Sequence, residues 1–383
     1  MNVKAIALDV YMSMCRAFKG IDKKKVLFVS FSGKSYSDNP KSISEELHKI
    51  APDLEIVWLF DDPEAKKKIV PTYVRVVDSK SNFAYFKEMA TCAVMVNNFS
   101  LSKVKKSNKQ MFIQTWHGDR AFKKVLYDSP FVGKDYSVSE ATPGYCDLAI
   151  AGSDYGESQY RTAFLYKGEV LKVGTPRDDI LVRNSAQDIE RIRNEIGVPT
   201  GTKLLLYAPT LRRKNHNDGS IQDIQEIDIE RTLDVLEQKY NCKWVCLMRA
   251  HPAVQNLGGF KESPRILDVA KYEDMADLLL VADMLITDYS SSAGDYALLG
   301  RPLVLFQSDI EEYIEKDRSF YFDMKDSPYY TAQNQEELEG LIKSFEQEKI
   351  KTNCKEILSF YGTNETGRAS HAVAERIINF INK

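Results

Sequence analysis

The stretch Asp283-Met-Leu-Ile-Thr-Asp-Tyr-Ser-Ser-Ser-Ala-Gly-Asp-Tyr-Ala-Leu-Leu-Gly-Arg-Pro302 has the pattern of a strand, a sharp turn, a helix and a stop signal. Residues 284–287 are a short apolar run typical of a buried strand. The hydroxyl and carboxyl side chains that follow are the residue types that cap helix N-termini. Gly300 and Pro302 then end a helix that is predicted to run through residues 293–299. This stretch predicts one strand-turn-helix unit of a parallel α/β sheet.

The turn in this stretch offers candidate phosphate ligands. A helix N-terminus presents unpaired backbone N–H groups and the positive end of the helix dipole, and Ser290, Ser291 and Ser292 add hydroxyl donors. Asp288 begins the turn, and Asp295 lies about one turn into the helix, where it could fix the helix start or contact a nucleotide sugar. The pattern fits a phosphate-binding turn, and it also fits an ordinary capped helix.

Strand and helix patterns alternate along the whole chain of 383 residues. Such alternation predicts an α/β protein with parallel sheets of the Rossmann type. Charge is unevenly spread: residues 1–185 carry 28 basic and 22 acidic side chains, and residues 186–383 carry 24 and 33. We therefore predict an N-terminal domain at 25–185 and a C-terminal domain at 186–383, with the functional site in the cleft between them.

Residues 1–24 are a separate short segment. The moderately apolar run Ala5–Phe18 contains Asp9 and Arg16, so it is too short and too polar to cross a bilayer. Its pattern, followed by three lysines at 23–25, suits an amphipathic helix lying on a membrane surface. The alternative is a helix packed on the first domain.

Two histidines lie at predicted strand ends, where parallel sheets bind their ligands. His117 stands in a Thr-Trp-His-Gly turn after an apolar strand and could act as a general base toward an alcohol. His251 precedes Pro252, which excludes the helical conformation, so His251 and Arg249 could both contact a phosphate. The alternative for each histidine is a hydrogen-bonded turn residue.

Other polar side chains also follow predicted strand ends. Thr210 ends an Ala-Pro-Thr turn, and Arg212 begins a run of three cations that either neutralises a diphosphate or lies on a solvated surface. Lys123 and Lys124 are predicted in a helix after His117. The sequence has no metal-ligand spacing and no basic tract interleaved with aromatics. It therefore predicts no metal, no cofactor and no nucleic-acid partner.

These motifs resemble, in order and spacing, those of the CDP-glycerol glycerophosphotransferases, which prime and polymerise wall teichoic acid and related phosphopolyol capsules. The resemblance covers roughly residues 25–380. Its segments are Gln114-Thr-Trp-His117-Gly118, Gly174-Thr-Pro-Arg177-Asp-Asp179, Leu206-Tyr-Ala-Pro-Thr210, Arg249-Ala-His251-Pro252 and the stretch quoted first. Two positions depart from the family pattern: Leu211 replaces the usual tryptophan, and Asp119 stands where a small or hydroxyl residue is common. Both bear on the identity of the polyol and the acceptor.

The resemblance implies a GT-B fold, in which the second Rossmann-like domain holds most of the donor. It implies transfer of a polyol phosphate from CDP-glycerol, with release of CMP, to a hydroxyl of a lipid-linked saccharide or polyol-phosphate acceptor. The enzyme would then be a peripheral protein at the cytoplasmic face of the cell membrane. The alternatives within the same fold are a CDP-ribitol-dependent ribitolphosphotransferase and a glycosyltransferase that uses a sugar nucleotide. A third is a catalytically silent binding protein.

The resemblance also implies roles for the residues singled out above. His117 would be the general base, and His251 would contact the donor diphosphate. The remaining expected site residues are Thr210, Arg212, Arg249, Asp288, Ser290, Ser291, Ser292 and Asp295 for the donor, and Asp119, Lys123 and Lys124 on the acceptor side.

Overall fold

The structure is a computed structural model that describes residues 3–99, 106–129, 146–210, 212–213, 221–222, 227–250, 263–316 and 319–383. The chain divides into two compact units. The first comprises Met1–Asp119, Ser137–Asp179 and Asn364–Lys383, and the second comprises Arg120–Tyr136 and Ile180–Thr363. The division differs from the one predicted at residue 185, because residues 120–129 belong to the second unit and the C-terminal helix belongs to the first.

The strands of the described residues are β1 (Asp22–Val29), β2 (Glu55–Phe60), β3 (Val74–Asp78), β4 (Cys92–Asn97), β5 (Met111–Gln114), β6 (Leu148–Ala151), β7 (Glu169–Lys172), β8 (Lys203–Ala208), β9 (Arg212–Arg213), β10 (Ile221–Gln222), β11 (Trp244–Met248), β12 (Ile266–Asp268), β13 (Met284–Thr287), β14 (Leu303–Phe306) and β15 (Thr331–Ala332).

The α-helices are α1 (Val3–Lys19), α2 (Asp38–Ile50), α3 (Pro63–Lys66), α4 (Asn82–Thr91), α5 (Asp154–Thr162), α6 (Asp179–Arg183), α7 (Ala186–Ile196), α8 (Ile229–Tyr240), α9 (Met275–Val281), α10 (Ser292–Tyr296), α11 (Ile310–Lys316), α12 (Gln335–Ser344), α13 (Gln347–Phe360) and α14 (Ala369–Ile381). Short 3-10 helices lie at Phe31–Gly33, Leu126–Asp128, Pro176–Asp178, Ala297–Leu299 and Met324–Asp326.

The first unit is built on a seven-stranded parallel sheet in the order β3-β2-β1-β4-β5-β6-β7. Its strands are continuous apolar runs, as expected when helices cover both faces of a sheet. One face packs on α2 and α14 through side chains such as Ile43, Leu47 and Ile377. The opposite face packs on α1 and α4 through Met12 and Met89. All carboxyl ends of these parallel strands therefore meet at one edge, which is where loops can assemble a site.

The second unit repeats this design with a six-stranded parallel sheet in the order β12-β11-β8-β13-β14-β15. Side-chain caps start its helices: the carboxylates of Asp228 and Asp274 accept backbone N–H groups at the starts of α8 and α9. The central strands β8 and β13 bring the Ala-Pro-Thr turn and the stretch 288–292 to neighbouring positions. Within the described residues, no helix combines the length and the apolar character needed to cross a membrane.

The helix of the stretch 283–302 is shorter than its sequence predicts. The α-helical part is only the five-residue α10, and it continues as the 3-10 turn Ala297–Leu299. Gly300 ends it with a left-handed φ of 61°, a conformation that glycine adopts without steric cost. The short α-helical part weakens the helix-dipole contribution that the sequence suggested.

Candidate functional site

His117 lies in the loop that follows β5, at the carboxyl edge of the first sheet. Its imidazole is half-buried among three aromatic rings. The ring centroids of Trp116, Phe31 and Phe99 lie 4.3, 5.2 and 5.5 Å from that of His117. These contacts hold the imidazole plane in one orientation.

The Nδ1 atom of His117 lies 2.7 Å from the backbone oxygen of Asn98, which follows β4. A carbonyl oxygen can only accept a hydrogen bond, so Nδ1 is the donor and carries the proton. In the neutral ring the other nitrogen, Nε2, then has the lone pair. This is the tautomer that a base acting through Nε2 requires.

Backbone strain is concentrated in the loops around His117. Eight non-glycine residues of the described chain have a positive φ, and four of them, Phe31, Ser32, Asp38 and Trp116, lie in these loops. A positive φ is costly for a bulky residue such as Trp116, whose value is 53°. Strain of this kind persists where surrounding contacts fix it, and it clusters at functional sites.

The Gly-x-Pro-Arg-x-Asp turn at 174–179 supports the same loops. Arg177 donates from Nη1 to the Asp38 carboxylate at 3.0 Å, and its backbone N–H donates to Oδ1 of Asn39 at 3.0 Å. Asp179 caps α14 by accepting the backbone N–H groups of Ala369 and Ser370, each at 2.8 Å. The motif therefore ties the C-terminal helix and the start of α2 to the edge that carries His117.

Asp119 lies two residues after His117 and is buried. Its Oδ1 accepts the backbone N–H of Gly152 at 2.9 Å, and its Oδ2 accepts the hydroxyl of Ser153 at 2.6 Å. These bonds fasten the His117 loop to the start of α5. They give Asp119 a structural role, and its expected contact with an acceptor stays a prediction.

In the second unit, Asp288 joins the two turns that the sequence assigned to the donor. Its carboxylate accepts the backbone N–H of Thr210 at 3.0 Å and the Thr210 hydroxyl at 2.8 Å. It also accepts the backbone N–H of Tyr289. A carboxylate would repel phosphate, so Asp288 serves this site best by holding the two turns together.

The three serines lie at the start of α10. The hydroxyl of Ser292 donates to that of Ser290 at 2.8 Å, and the backbone N–H of Ser292 lies 3.3 Å from the same oxygen. Ser291 has helical backbone angles and makes no side-chain cap. The hydroxyls of Ser290 and Ser292 thus form a hydrogen-bonded pair in the turn after β13, and Asp288 of the same turn is bonded to Thr210 after the neighbouring strand β8.

Arg249 is turned toward backbone carbonyls. Its Nη1 donates to the oxygens of Val269 and Ala270 at 2.8 and 3.2 Å, and to that of Tyr272. Burial lowers the pKa of its guanidinium from the ordinary value. These bonds give Arg249 a structural function that the sequence did not indicate, namely fixing the loop after β12.

Asp295 forms a buried ion pair with Arg120. The Nε and Nη2 atoms of Arg120 lie 3.1 and 2.7 Å from Oδ1 of Asp295, and the two residues are 0% and 3% exposed. Gly294 permits this approach, since a Cβ atom there would lie 2.7 Å from Cβ of Arg120. The ion pair anchors α10 to Arg120, and the nucleotide-contact role suggested for Asp295 stays a prediction.

The helix predicted for Lys123 and Lys124 is wrong. Residues 121–125 are not helical, Lys123 forms an isolated antiparallel bridge with Phe320, and the backbone N–H of Lys124 donates to the oxygen of Ser319 at 2.9 Å. The apolar partners Ala121 and Phe122 are buried, so tertiary packing overrides the local helix pattern. Both lysine side chains are half-buried.

His251 lies outside the described residues, and for Arg212 only the backbone pairing with Gln222 in β9 and β10 is described. Among the residues that are described, no group of histidine, cysteine or acidic side chains has the arrangement of a metal site.

Comparison with known proteins gives one consistent family. The chain is 31% identical to the teichoic acid poly(glycerol phosphate) polymerase of Staphylococcus epidermidis, over 93% of this chain and 51% of that protein. It is 29% identical to the teichoic acid glycerol-phosphate transferase of Staphylococcus aureus, over 99% of this chain and 98% of that protein. It is 28% identical to the teichoic acid ribitol-phosphate primase of Bacillus spizizenii, over 99% and 97% of the two chains. The chain thus spans about half the length of the first of these relatives.

A solved structure of the wall teichoic acid polymerase TagF matches 99% of this chain and 96% of that one, with a TM-score of 0.83 and 28% identity. This match and the two parallel α/β units confirm the predicted GT-B fold class. Residues 10–379 match the family described as CDP-glycerol:poly(glycerophosphate) glycerophosphotransferase. The resemblance drawn from the motifs is therefore confirmed, and the chain belongs to the CDP-glycerol:poly(glycerophosphate) glycerophosphotransferase family.

Proposed function

We propose that this protein transfers glycerol phosphate from CDP-glycerol to a hydroxyl group of a lipid-linked saccharide or polyol-phosphate acceptor in teichoic acid synthesis. The acceptor oxygen attacks the β-phosphorus of the donor, a new phosphodiester bond forms, and CMP leaves. The observation that carries the proposal is the His117 imidazole, which is held with its proton on Nδ1 in a chain of this family. Its Nε2 lone pair takes the proton of the attacking hydroxyl.

Phosphoryl transfer depends on positioning and on charge stabilisation rather than on covalent catalysis. In this proposal the second unit supplies both. The hydroxyl cluster of Ser290 and Ser292 and the nearby Thr210 contact the donor diphosphate, with Asp288 fixing their arrangement. His251 and Arg212 are proposed to contribute positive charge to the same diphosphate, which stabilises the charge that develops on the leaving CMP.

A matched pair of histidine variants tests the role of His117. Replacing His117 with glutamine should lower kcat for CMP release by roughly 10²- to 10⁴-fold, the usual contribution of a general base. The control is His371→Gln, because His371 is also half-buried and hydrogen-bonded, at 2.9 Å to Glu46, but lies on α14. Equal turnover by the two variants would contradict the assignment of His117 as the base.

Transfer of ribitol phosphate from CDP-ribitol is the second candidate function. It is supported by the similarity to a ribitol-phosphate primase at nearly full length. Turnover with CDP-glycerol, CDP-ribitol and a UDP-sugar, each at the same concentration, separates the possibilities. We expect CMP from CDP-glycerol at the highest kcat/KM, whereas a higher value for CDP-ribitol would reassign the polyol. UDP release from the sugar nucleotide would indicate a glycosyltransferase instead.

We further propose that the protein works as a peripheral enzyme at the cytoplasmic face of the membrane, docked through α1. One face of α1 packs on α4 through Met12, which is buried, and Tyr11, whose hydroxyl donates to the oxygen of Phe83. Three apolar residues of the same helix, Val10, Met14 and Phe18, are exposed by 54%, 51% and 83%. Their spacing of four residues places them in one apolar stripe. Both sequence interpretations of this segment, packing and membrane binding, are thus compatible.

Vesicle sedimentation tests the docking. The double variant Met14→Glu/Phe18→Glu should lose binding to vesicles that contain anionic phospholipid, because it places two charges in the apolar stripe. The control is Ile69→Glu, at an apolar residue of the same unit that is 49% exposed but lies outside α1. Unchanged binding of the double variant would refute docking through this face.

A further inference from the structure

A buried polar network connects several chain segments to His117. Its centre is Asn98, whose side chain is fully buried. The backbone oxygen of Asn98 accepts from Nδ1 of His117. Its side-chain amide donates to Asp38 at 2.9 Å and to the Ser30 hydroxyl at 3.2 Å, and its side-chain oxygen accepts the backbone N–H of Phe31 at 2.9 Å. The carbonyl that holds the imidazole is therefore itself fixed by three hydrogen bonds.

Asp38 is the charged member of this network. It is buried at the start of α2 with a φ of 65°, a left-handed conformation that aspartate tolerates better than most residues. Oδ1 receives the Asn98 amide and the backbone N–H of Asn39, and Oδ2 receives the Arg177 guanidinium at 3.0 Å. Both carboxylate oxygens are thus used to align neighbouring segments.

Asn39, the next residue, bonds through its side chain to the backbone of the loop that carries His117. Its amide nitrogen donates to the backbone oxygen of Trp116 at 2.9 Å and reaches that of Thr115 at 3.4 Å. Its side-chain oxygen accepts the backbone N–H of Arg177. Asn39 is therefore bonded to Trp116, which precedes His117, and Asp38 is bonded to Asn98, which accepts from the His117 ring. Two adjacent residues at the start of α2 thus anchor the imidazole from both sides of the loop.

We propose that Asp38, Asn39 and Asn98 are positioning residues that hold His117 as the Nδ1–H tautomer. The inference rests on the proposed role of His117 as the general base. Burying a charged pair such as Asp38 and Arg177 is a poor route to stability, because well-packed apolar residues of similar volume do as well or better. The combination of buried charge, positive φ and convergence on one imidazole is instead what a site needs to hold a base in its productive orientation.

The tautomer can be read directly from the protein without any variant of the network. The full-length chain is labelled with ¹⁵N-histidine, and two-bond correlation spectra are recorded at a pH where a free imidazole is neutral. The chain has five histidines, and the signals lost in His117→Gln identify those of His117. We expect a protonated Nδ1 and an unprotonated Nε2. The Nε2–H tautomer, or an equal mixture of the two, would overturn the inference.

Variants of the network test its contribution to catalysis. Asn98→Ala and Asp38→Asn should each lower kcat about 10- to 100-fold, a part of what a general base supplies, with KM for CDP-glycerol unchanged. The neutral His117 should become a mixture of tautomers in both. The control is Gln110→Ala, since Gln110 is an equally buried amide that donates to the oxygens of Met89 and Cys92 at 2.8 Å. It lies before β5, away from the His117 loop.

The outcomes separate this inference from the proposed function. The positioning role would be overturned if both network variants kept a single Nδ1–H tautomer and an unchanged kcat. It would also be overturned if their losses of kcat were no larger than that of Gln110→Ala. Should one variant fail to fold, the other and the wild-type spectrum still decide. Full turnover by His117→Gln would refute the proposed function, whereas the wild-type tautomer would be unaffected by that result.

Discussion

The buried pair of Arg120 and Asp295 makes a quantitative prediction about the second unit. In the variant Asp295→Ala, the guanidinium of Arg120, which is 0% exposed, loses the carboxylate that lies 2.7 Å away. Removing one partner of a buried ion pair costs about 3–5 kcal/mol. That loss is a large share of the 5–15 kcal/mol by which a domain is ordinarily stable.

The second unit has about 200 residues. For a domain of this size, each kcal/mol shifts Tm by about 2–4 °C. The expected loss for Asp295→Ala is therefore about 6–20 °C. The double variant Arg120→Met/Asp295→Leu should recover much of it, because replacing both partners of a buried pair by apolar groups is often neutral.

Intrinsic fluorescence can follow this unit alone. The protein has three tryptophans, of which Trp58 and Trp116 belong to the first unit and Trp244 to the second. In a background with Trp58→Phe and Trp116→Phe, the buried Trp244 reports only the unfolding of the second unit. A shift below about 2 °C for Asp295→Ala, less than 1 kcal/mol on the same scale, would refute the structural assignment of Asp295. The nucleotide-contact role would then gain support.

Two further predictions concern the stability of each unit. Burial alone would raise the pKa of Glu88, but hydrogen bonds from Arg75 and Lys25 outweigh it and lower the pKa to about 2, from the 4.5 of an unperturbed carboxyl. The contribution of this carboxylate to the free energy of unfolding is complete above pH 4.5 and is lost as the pH falls toward 2. Glu88→Gln should therefore flatten the dependence of the unfolding free energy on pH, measured by urea denaturation. Parallel pH profiles of the variant and the wild type would contradict this. Gly294→Ala should destabilise the second unit by about 1–3 kcal/mol, since its Cβ would press on the buried pair. Gly340→Ala, in the middle of α12 with no heavy atom within 4 Å of the added Cβ, should stabilise the second unit by about 0.5–1 kcal/mol. Equal effects of the two glycine variants would refute the close approach of Gly294 to Arg120.

The fold class follows from the sequence because its signals are local. Buried parallel strands are continuous apolar runs, and the caps of α8 and α12 are readable as Asp228 and Asn334. What the sequence did not reveal is which unit two of its segments join. Residues 120–129 belong to the second unit and α14 belongs to the first, although each is separated in sequence from the rest of its unit, and only tertiary packing decides this.

The position of His117 was predictable for the same reason, since it follows a clear strand. Its supporting residues were not predictable, because their partners are distant in sequence. Asp38 contacts Asn98 and Arg177, which lie 60 and 139 residues further along the chain. The signal that could have identified them is the occurrence of Asn98 at a strand end and of Asp38 and Asn39 just before a helix. Conversely, Arg249 and Asp288 look like phosphate-site residues in sequence, yet their side chains bind protein groups that no local pattern reveals.

Transfer of a polyol phosphate by this protein can be measured directly on its products. The full chain is incubated with CDP-glycerol and a lipid-linked disaccharide acceptor, and the products are analysed by mass spectrometry while CMP is quantified in the same samples. We expect that the acceptor gains whole glycerol phosphate units and that one CMP appears for each unit gained. An acceptor of unchanged mass, or CMP release without transfer to the acceptor, would contradict it.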